Sequence, residues 1–271
     1  MQERGSSRHR RVRGPPRRFG FRQQLPSARL RRVHSLGIVA IALAVILVAC
    51  APPKEPPPPP PPCPGCTVYL TFDDGPGVFT PQILSVLAAK GAPATFFVVG
   101  EHAAQFPSLV QQEHADGHGI GDHTWSHPDL TTLPPALIRE ELESTAVEIA
   151  SLTGTRPTLW RPPFGSFNGT VTAIASSLGL SLRLWDVNPS DFTMPGTDVI
   201  VSRVVDNVSD GAIILLHDSS PDGSEDRSQT VAALPVIIDT LRARGFDFGT
   251  LSTTTGALAG PTGPDVVIGG E

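Results

Sequence analysis

From residue 67 onward, short runs of β-branched and aromatic residues alternate with longer stretches whose apolar positions recur every three or four residues. The first pattern reads as strand and the second as amphipathic helix. Strands are expected over 67–72, 94–99, 117–121, 158–160, 181–187, 212–216 and 246–251. Helices are expected over 81–89, 101–115, 134–153, 168–178, 198–208 and 229–244. The clearest helix opens at Pro134-Pro135, carries Leu137, Ile138, Leu142, Val147 and Ile149, and stops at Gly154. About seven strands alternating with helices predict a mainly parallel α/β sheet with helices outside, either open or closed into a barrel. In both forms the functional groups collect at the C-terminal ends of the strands.

Upstream the pattern changes. Residues 1–34 carry eleven Arg and one acidic residue and show no apolar periodicity. Residues 36–50 are an apolar run of 15 that ends Leu47-Val48-Ala49-Cys50. A membrane span needs about 20 such residues, whereas a signal-peptide core is shorter. The ending resembles a bacterial lipobox, so cleavage and lipidation at Cys50 is one expectation and an uncleaved N-terminal anchor the other. Both place the rest of the chain outside the cytoplasmic membrane, with the Arg-rich leader inside. The leader is long, and a start at a non-Met codon near Val33 is an alternative.

Residues 51–66 are dominated by proline, unbroken from Pro56 to Pro62, and read as a stiff polyproline II spacer. Cys63-Pro-Gly-Cys66 closes it. In an oxidising compartment this pair is expected to form a small disulfide. A redox motif needs a helix behind it, and here a strand follows. Two cysteines are also too few for structural zinc. Residues 254–271, rich in Gly, Thr, Ala and Pro, are expected to be a loose tail. The folded domain is therefore bounded at 67–253.

The formal charge of −5 hides a division. Residues 1–49 hold 11 of the 21 basic and 1 of the 26 acidic residues, which leaves 10 basic against 25 acidic beyond them. A body carrying −15 is a poor partner for nucleic acid. No nucleic-acid role is expected, and the Arg-rich head reads as a topogenic leader.

Polar residues gather where the strands end. Thr71-Phe-Asp-Asp-Gly-Pro76 closes the first strand with two adjacent carboxylates, unfavourable unless a cation or proton lies between them. Asp73 and Asp74 point different ways along a strand, so they can take different tasks. His123-Thr-Trp-Ser-His127 spaces two imidazoles at i and i+4, which on a helical turn share one face. With Asp74 they form a His₂-Asp set that leaves positions open, as catalytic zinc does. Co²⁺, Mn²⁺ and Ni²⁺ suit the same donors. Such a cation polarises a carbonyl and acidifies water, and Asp73 beside it is a candidate general base. His217 is the candidate acid for an amine leaving group, Arg161 can orient Asp73 by a fork-like contact, and Asp191 can raise the pKa of His217.

Five stretches together resemble the ordered motifs of the polysaccharide deacetylases, the NodB-homology group or carbohydrate esterase family 4. They are Thr71-Phe-Asp-Asp-Gly-Pro76, His123-Thr-Trp-Ser-His127-Pro-Asp-Leu, Arg161-Pro-Pro-Phe-Gly165, Trp185-Asp-Val-Asn-Pro-Ser-Asp191 and Leu215-Leu-His217-Asp. The resemblance covers about residues 67–250. It implies a distorted (β/α) barrel of about seven parallel strands and removal of N- or O-acetyl groups from peptidoglycan, chitin or acetylated xylan. It also implies Asp73 as base, His217 as acid, Asp74, His123 and His127 as metal ligands, Arg161 as tether of Asp73, and Asp191 as partner of His217. Substrate contacts would fall to Pro163, Phe164, Phe192 and Leu215, with the Phe164 N–H holding the oxyanion. The chain departs from the family at Phe192, where Trp is frequent, at Asn188, where Asp is frequent, and at Asp122, where Asn is common.

The leading expectation is a metal-dependent, membrane-anchored monomer that deacetylates an N-acetylglucosamine polymer at the cell surface. The alternatives are an O-acetyl esterase on xylan-type polymers and a non-catalytic glycan-binding lipoprotein.

Overall fold

A computed structural model describes residues 61–254. The leader, the apolar run, residues 51–60 of the spacer and the tail past Thr254 lie outside the described residues. Among the described residues, no helix is long and apolar enough to cross a membrane. The strands are β1 (Cys66–Asp73), β2 (Thr95–Val98), β3 (Gly119–Asp122), β4 (Leu159–Trp160), β5 (Ser181–Leu182), β6 (Ile213–His217) and β7 (Phe246–Phe248). The helices are α1 (Thr80–Lys90), α2 (Gly100–Gln105), α3 (Pro107–Ala115), α4 (Pro135–Thr153), α5 (Gly169–Ser177), α6 (Thr197–Val205) and α7 (Ser228–Ala243).

All strand pairs are parallel, in the order β5-β4-β3-β2-β1-β6, and β7 pairs with the first residues of β1. Beyond β5 the chain returns to β6, where Val187 bridges Ile214. That bridge joins the two ends of the row, so the sheet is a distorted barrel with helices around it.

The alternation in β1 decides what each face does. Val68, Leu70 and Phe72 point outward into the large core shared with α1, α6 and α7, through residues such as Ile83, Leu87, Ile200, Leu234 and Ile238. Burying one such side chain contributes about 1.5–3 kcal/mol, and Phe72→Ala would cost about 3–5 kcal/mol. The other face of the sheet looks into the barrel, where Phe97, Leu184, Trp185, Ile213 and Leu215 pack together with Tyr69 beside them. Thr71 and Asp73 share that inward face, so the strand carries polar groups into the interior at its C-terminal end.

Several elements end earlier than the sequence pattern suggests, β7 at Phe248 and α6 at Val205 among them, and three differences have a clear cause or consequence. The helix expected over 101–115 is two helices, because Pro107 cannot donate a helical N–H and instead starts α3. The strand expected over 117–121 starts only at Gly119, since Gly117 sits in a turn at φ 84°. The strand expected over 181–187 pairs with β4 for two residues only, and its remainder crosses to β6. Cys63 and Cys66 form a disulfide. It is docked by hydrogen bonds from Cys63 N to Arg244 O (2.7 Å) and from Gly65 N to Gly245 O (3.2 Å).

Candidate metal and catalytic site

The register of β1 against β6 pairs Asp73 directly with His217. Neighbouring strands lie about 4.8 Å apart, so two titratable groups stand side by side at the barrel mouth. Asp74 follows with φ 72°, a left-handed conformation that turns its carboxylate away from the strand direction. His123 leaves the end of β3. The segment 123–127 is not the helical turn that the spacing suggested. It is a loop in which Thr124 and His127 are both left-handed, at φ 69° and 58°. The loop folds back so that both rings reach Asp74.

The ligand atoms of Asp74, His123 and His127 all lie within 4.8 Å of one another, and all three residues are buried. His123 Nε2 is 3.4 Å and His127 Nε2 is 3.2 Å from Asp74 Oδ1. Two donors bonded tetrahedrally to one cation at about 2.0–2.1 Å stand about 3.4 Å apart, so these spacings fit a shared ion. The second ring nitrogen of His123 is committed, since its Nδ1 lies 2.7 Å from Arg161 O. A carbonyl can only accept, which puts the proton on Nδ1 and the lone pair on Nε2. His102 Nδ1 likewise donates to Asp74 O at 2.7 Å. Burial works against an ionised Asp74, yet His123, His127 and the more distant His217 hold its carboxyl well below the usual carboxylate range.

Asp73 lies beside this cluster, its Oδ2 3.9 Å from His123 Nε2. Its Oδ1 accepts from Arg161 Nη1 at 2.7 Å. The contact is single rather than fork-like. The fully buried guanidinium spends its other donors on Thr71 Oγ1, Arg183 O and Leu184 O, and it stacks 4.1 Å above the Phe97 ring. Burial lowers the pKa of Arg161, and the Asp73 carboxylate works in the opposite direction.

His217 Nδ1 is 2.7 Å from Asp191 Oδ1. Asp191 Oδ2 accepts from His217 N at 2.9 Å and from Thr230 Oγ1 at 2.8 Å. Burial opposes charge on His217, but Asp191, then Asp74 and Asp73, push its pKa up to about 9. Burial likewise opposes charge on Asp191, and His217 and Thr230 hold its carboxyl below the usual range.

These groups open onto a cleft of about 360 Å³. Phe164, Phe192 and Leu215 line it, and Pro163 does not. Pro163 is buried, and Pro162 lines the cleft instead, in a tight turn where Phe164 adopts φ 60°. The exposed Phe164 ring meets His127 edge-on at 4.8 Å, and Phe192 meets His217 at 5.4 Å. Trp185 and Asn188 of the fourth motif complete the wall with Pro221, Glu225 and Arg227, and these last three were not singled out from the sequence. Three of them lie between His217 and α7, on a segment held by Arg227, which donates to Ser219 O and to Glu225 Oε2 at 2.7 Å each. The only sequence signal there was a run of Asp, Ser, Pro and Gly directly after a candidate acid.

Behind the cleft lie two further acids. Asp218 Oδ2 accepts from Thr80 Oγ1 at 2.5 Å, while its Oδ1 has no partner. Burial, with Asp74 and Asp73 nearby, pushes its pKa up to about 7. Glu113 is fully buried with neither oxygen hydrogen-bonded. Burial and then Asp218 raise it well above the carboxylate range.

The chain has counterparts among known proteins. A family model described as polysaccharide deacetylase matches residues 62–182. A chitooligosaccharide deacetylase of Bradyrhizobium sp. is 42% identical over 190 residues, 67% of this chain and 87% of that protein. The peptidoglycan-N-acetylglucosamine deacetylase PgdA of Listeria monocytogenes is 34% identical over 190 residues, 70% of this chain and 39% of that protein. A solved family 4 carbohydrate esterase from Streptomyces lividans, in complex with acetate, superposes with a TM-score of 0.67 at 36% identity, over 74% of this chain and all of that one.

Proposed function

Because the chain belongs to the polysaccharide deacetylase family, we propose that its cleft hydrolyses the acetamide of N-acetylglucosamine residues in peptidoglycan or a chitin-like polymer. One observation carries the reading. A three-donor cluster, a tethered carboxylate and a carboxylate-paired imidazole all face a single cleft.

Asp74, His123 and His127 would hold a divalent cation, for which we take Zn²⁺, and it would supply Lewis acidity there. Asp73 takes the proton of the attacking water, and Arg161 holds its other oxygen so that Oδ2 stays aimed into the cleft. The Phe164 N–H donates to the oxyanion as the carbonyl becomes tetrahedral. His217, kept protonated by Asp191, gives its proton to the nitrogen as the C–N bond breaks, leaving acetate and a free amine. Leu215 packs against the acetyl methyl, and Phe164 and Phe192 flank the sugar.

Sequence features outside the described residues support a cell-surface location for this chemistry. The apolar run ending at Cys50 and the proline spacer serve a monomeric, extracytoplasmic, membrane-tethered enzyme with its catalytic domain at 67–253. The test is acetate release from N-acetyl-chitooligosaccharides, muropeptides and acetylated xylan, with and without a chelator. Chelator-sensitive release from the first two is expected. Release from xylan alone would make the protein an esterase, and release from none would overturn the proposal.

A further inference from the structure

We infer that Glu141 is a positioning residue that shapes the metal-binding loop from outside, although it lies far from the cleft in sequence and touches neither substrate nor ligand atoms. The inference rests on reading Asp74, His123 and His127 as a metal site.

The two histidines sit at the ends of a five-residue loop that is itself neither helix nor strand. Residues left-handed without glycine are disfavoured and persist only where the surroundings over-determine them. Here Thr124 and His127 are both left-handed. Part of the support comes from within the loop's own strand, since Asp122 Oδ1 accepts from Thr124 N at 2.8 Å and Thr124 Oγ1 from His127 N at 3.2 Å. A second part comes from the start of α2, where Gly100 N donates to Thr124 O (2.9 Å) and Glu101 N to Trp125 O (3.0 Å). A Cβ on Gly100 would collide with the Trp125 ring, so that approach is close.

The middle of the loop has one further side-chain partner among the described residues. Glu141, in the second turn of α4, accepts from Trp125 N at 2.9 Å and Ser126 N at 2.8 Å through Oε2, and from Ser126 Oγ at 2.8 Å through Oε1. Three donors on consecutive residues converge on one carboxylate, in the manner of a cap on a helix start, although no helix follows. Hydrogen bonds to a charged acceptor are shorter and stronger than neutral ones. Removing the carboxylate leaves donors that water can satisfy at this half-exposed place, so the loop loses its set shape more than the fold loses stability. The two imidazoles would then have to be ordered at the moment of binding, and affinity falls by that cost. Outer groups that orient ligands typically account for about 10- to 100-fold in metal affinity.

The experiment is Zn²⁺ titration of the full chain in competition with a chromophoric chelator, with the visible absorption of the Co²⁺-loaded protein as a second readout. Glu141→Ala should raise the Zn²⁺ Kd about 10- to 100-fold and weaken the Co²⁺ band. Its kcat should approach the wild-type value once Zn²⁺ saturates. Glu141→Gln, which keeps an acceptor for the N–H donors, should recover part of the affinity. If Glu141→Ala does not fold, Glu141→Asp, one methylene short of the loop, carries the same expectation. A folded variant binding Zn²⁺ as tightly as the wild type would overturn the role of Glu141 alone. A wild type that binds no divalent metal would overturn the metal site, and this inference with it.

Discussion

The Nδ1–H of His217 points at Oδ1 of Asp191 across 2.7 Å, and the carboxylate that receives it is itself buried and held by Thr230. That pairing sets which way the exposed nitrogen of the ring titrates. His217 stays protonated until about pH 9, so an acid with this pKa donates below that value and is lost as pH rises through it. Asp191→Asn removes the charge that sustains the imidazolium. The alkaline limb of kcat/KM should therefore move down by about one to two pH units, with a rate loss of about 2- to 10-fold at pH 8. An unmoved limb would mean that another group is the acid.

Asp73 and His127 should fail differently. Asp73→Asn keeps all three ligand atoms and should bind Zn²⁺ as the wild type does, while kcat falls about 10²- to 10⁴-fold. His127→Ala removes a ligand and should lose both metal and turnover. Atomic absorption on the two purified variants, alongside acetate release, separates these outcomes.

Removing the metal should cost stability as well as activity. A cation present at 100 times its Kd stabilises the folded state by about 2.7 kcal/mol, or a few degrees in the melting temperature of a domain this size. A chelator should lower the melting point by that amount and abolish turnover, and Zn²⁺ or Co²⁺ should restore both. His127→Ala should show no melting shift with chelator.

Glu113 places a pH dependence on the fold itself. Its folded pKa is raised by burial and by Asp218, so the stability tied to its neutral form is complete below its unfolded value and is lost as pH rises toward the folded one. Glu113→Gln removes that loss. The variant should match the wild type near pH 4 and exceed it by about 1–3 kcal/mol at pH 8. Denaturant midpoints at the two pH values check this, and an equal gap at both would count against it.

Much of the fold was legible because parallel strands and their helices have different periods, and β1 shows both faces in eight residues. What periodicity does not carry is where a backbone leaves its element. Pro107 divided a helix that the apolar spacing ran through. The His123 and His127 spacing matched a helical turn, but left-handed residues brought the rings together instead. Donor type was readable and geometry was not: Arg161 reaches Asp73 with one nitrogen because three barrel oxygens claim the rest. Pro162 rather than Pro163 meets the cleft, a choice between neighbours that residue type cannot make. Nothing in the sequence marked Glu141, since two of its three donors are backbone N–H groups that any sequence would supply.

The strands of the barrel all run in one direction, and the Cys63–Cys66 bridge sits where the first of them begins. Asp73 and His217 end their strands at the opposite pole, a strand length of about 25 Å away. A bead, dye or carrier protein coupled close to Cys63 is therefore attached on the blind side. Long glycans keep free passage over the open mouth, so an enzyme immobilised by that end should work on insoluble polymer as well as on short oligomers.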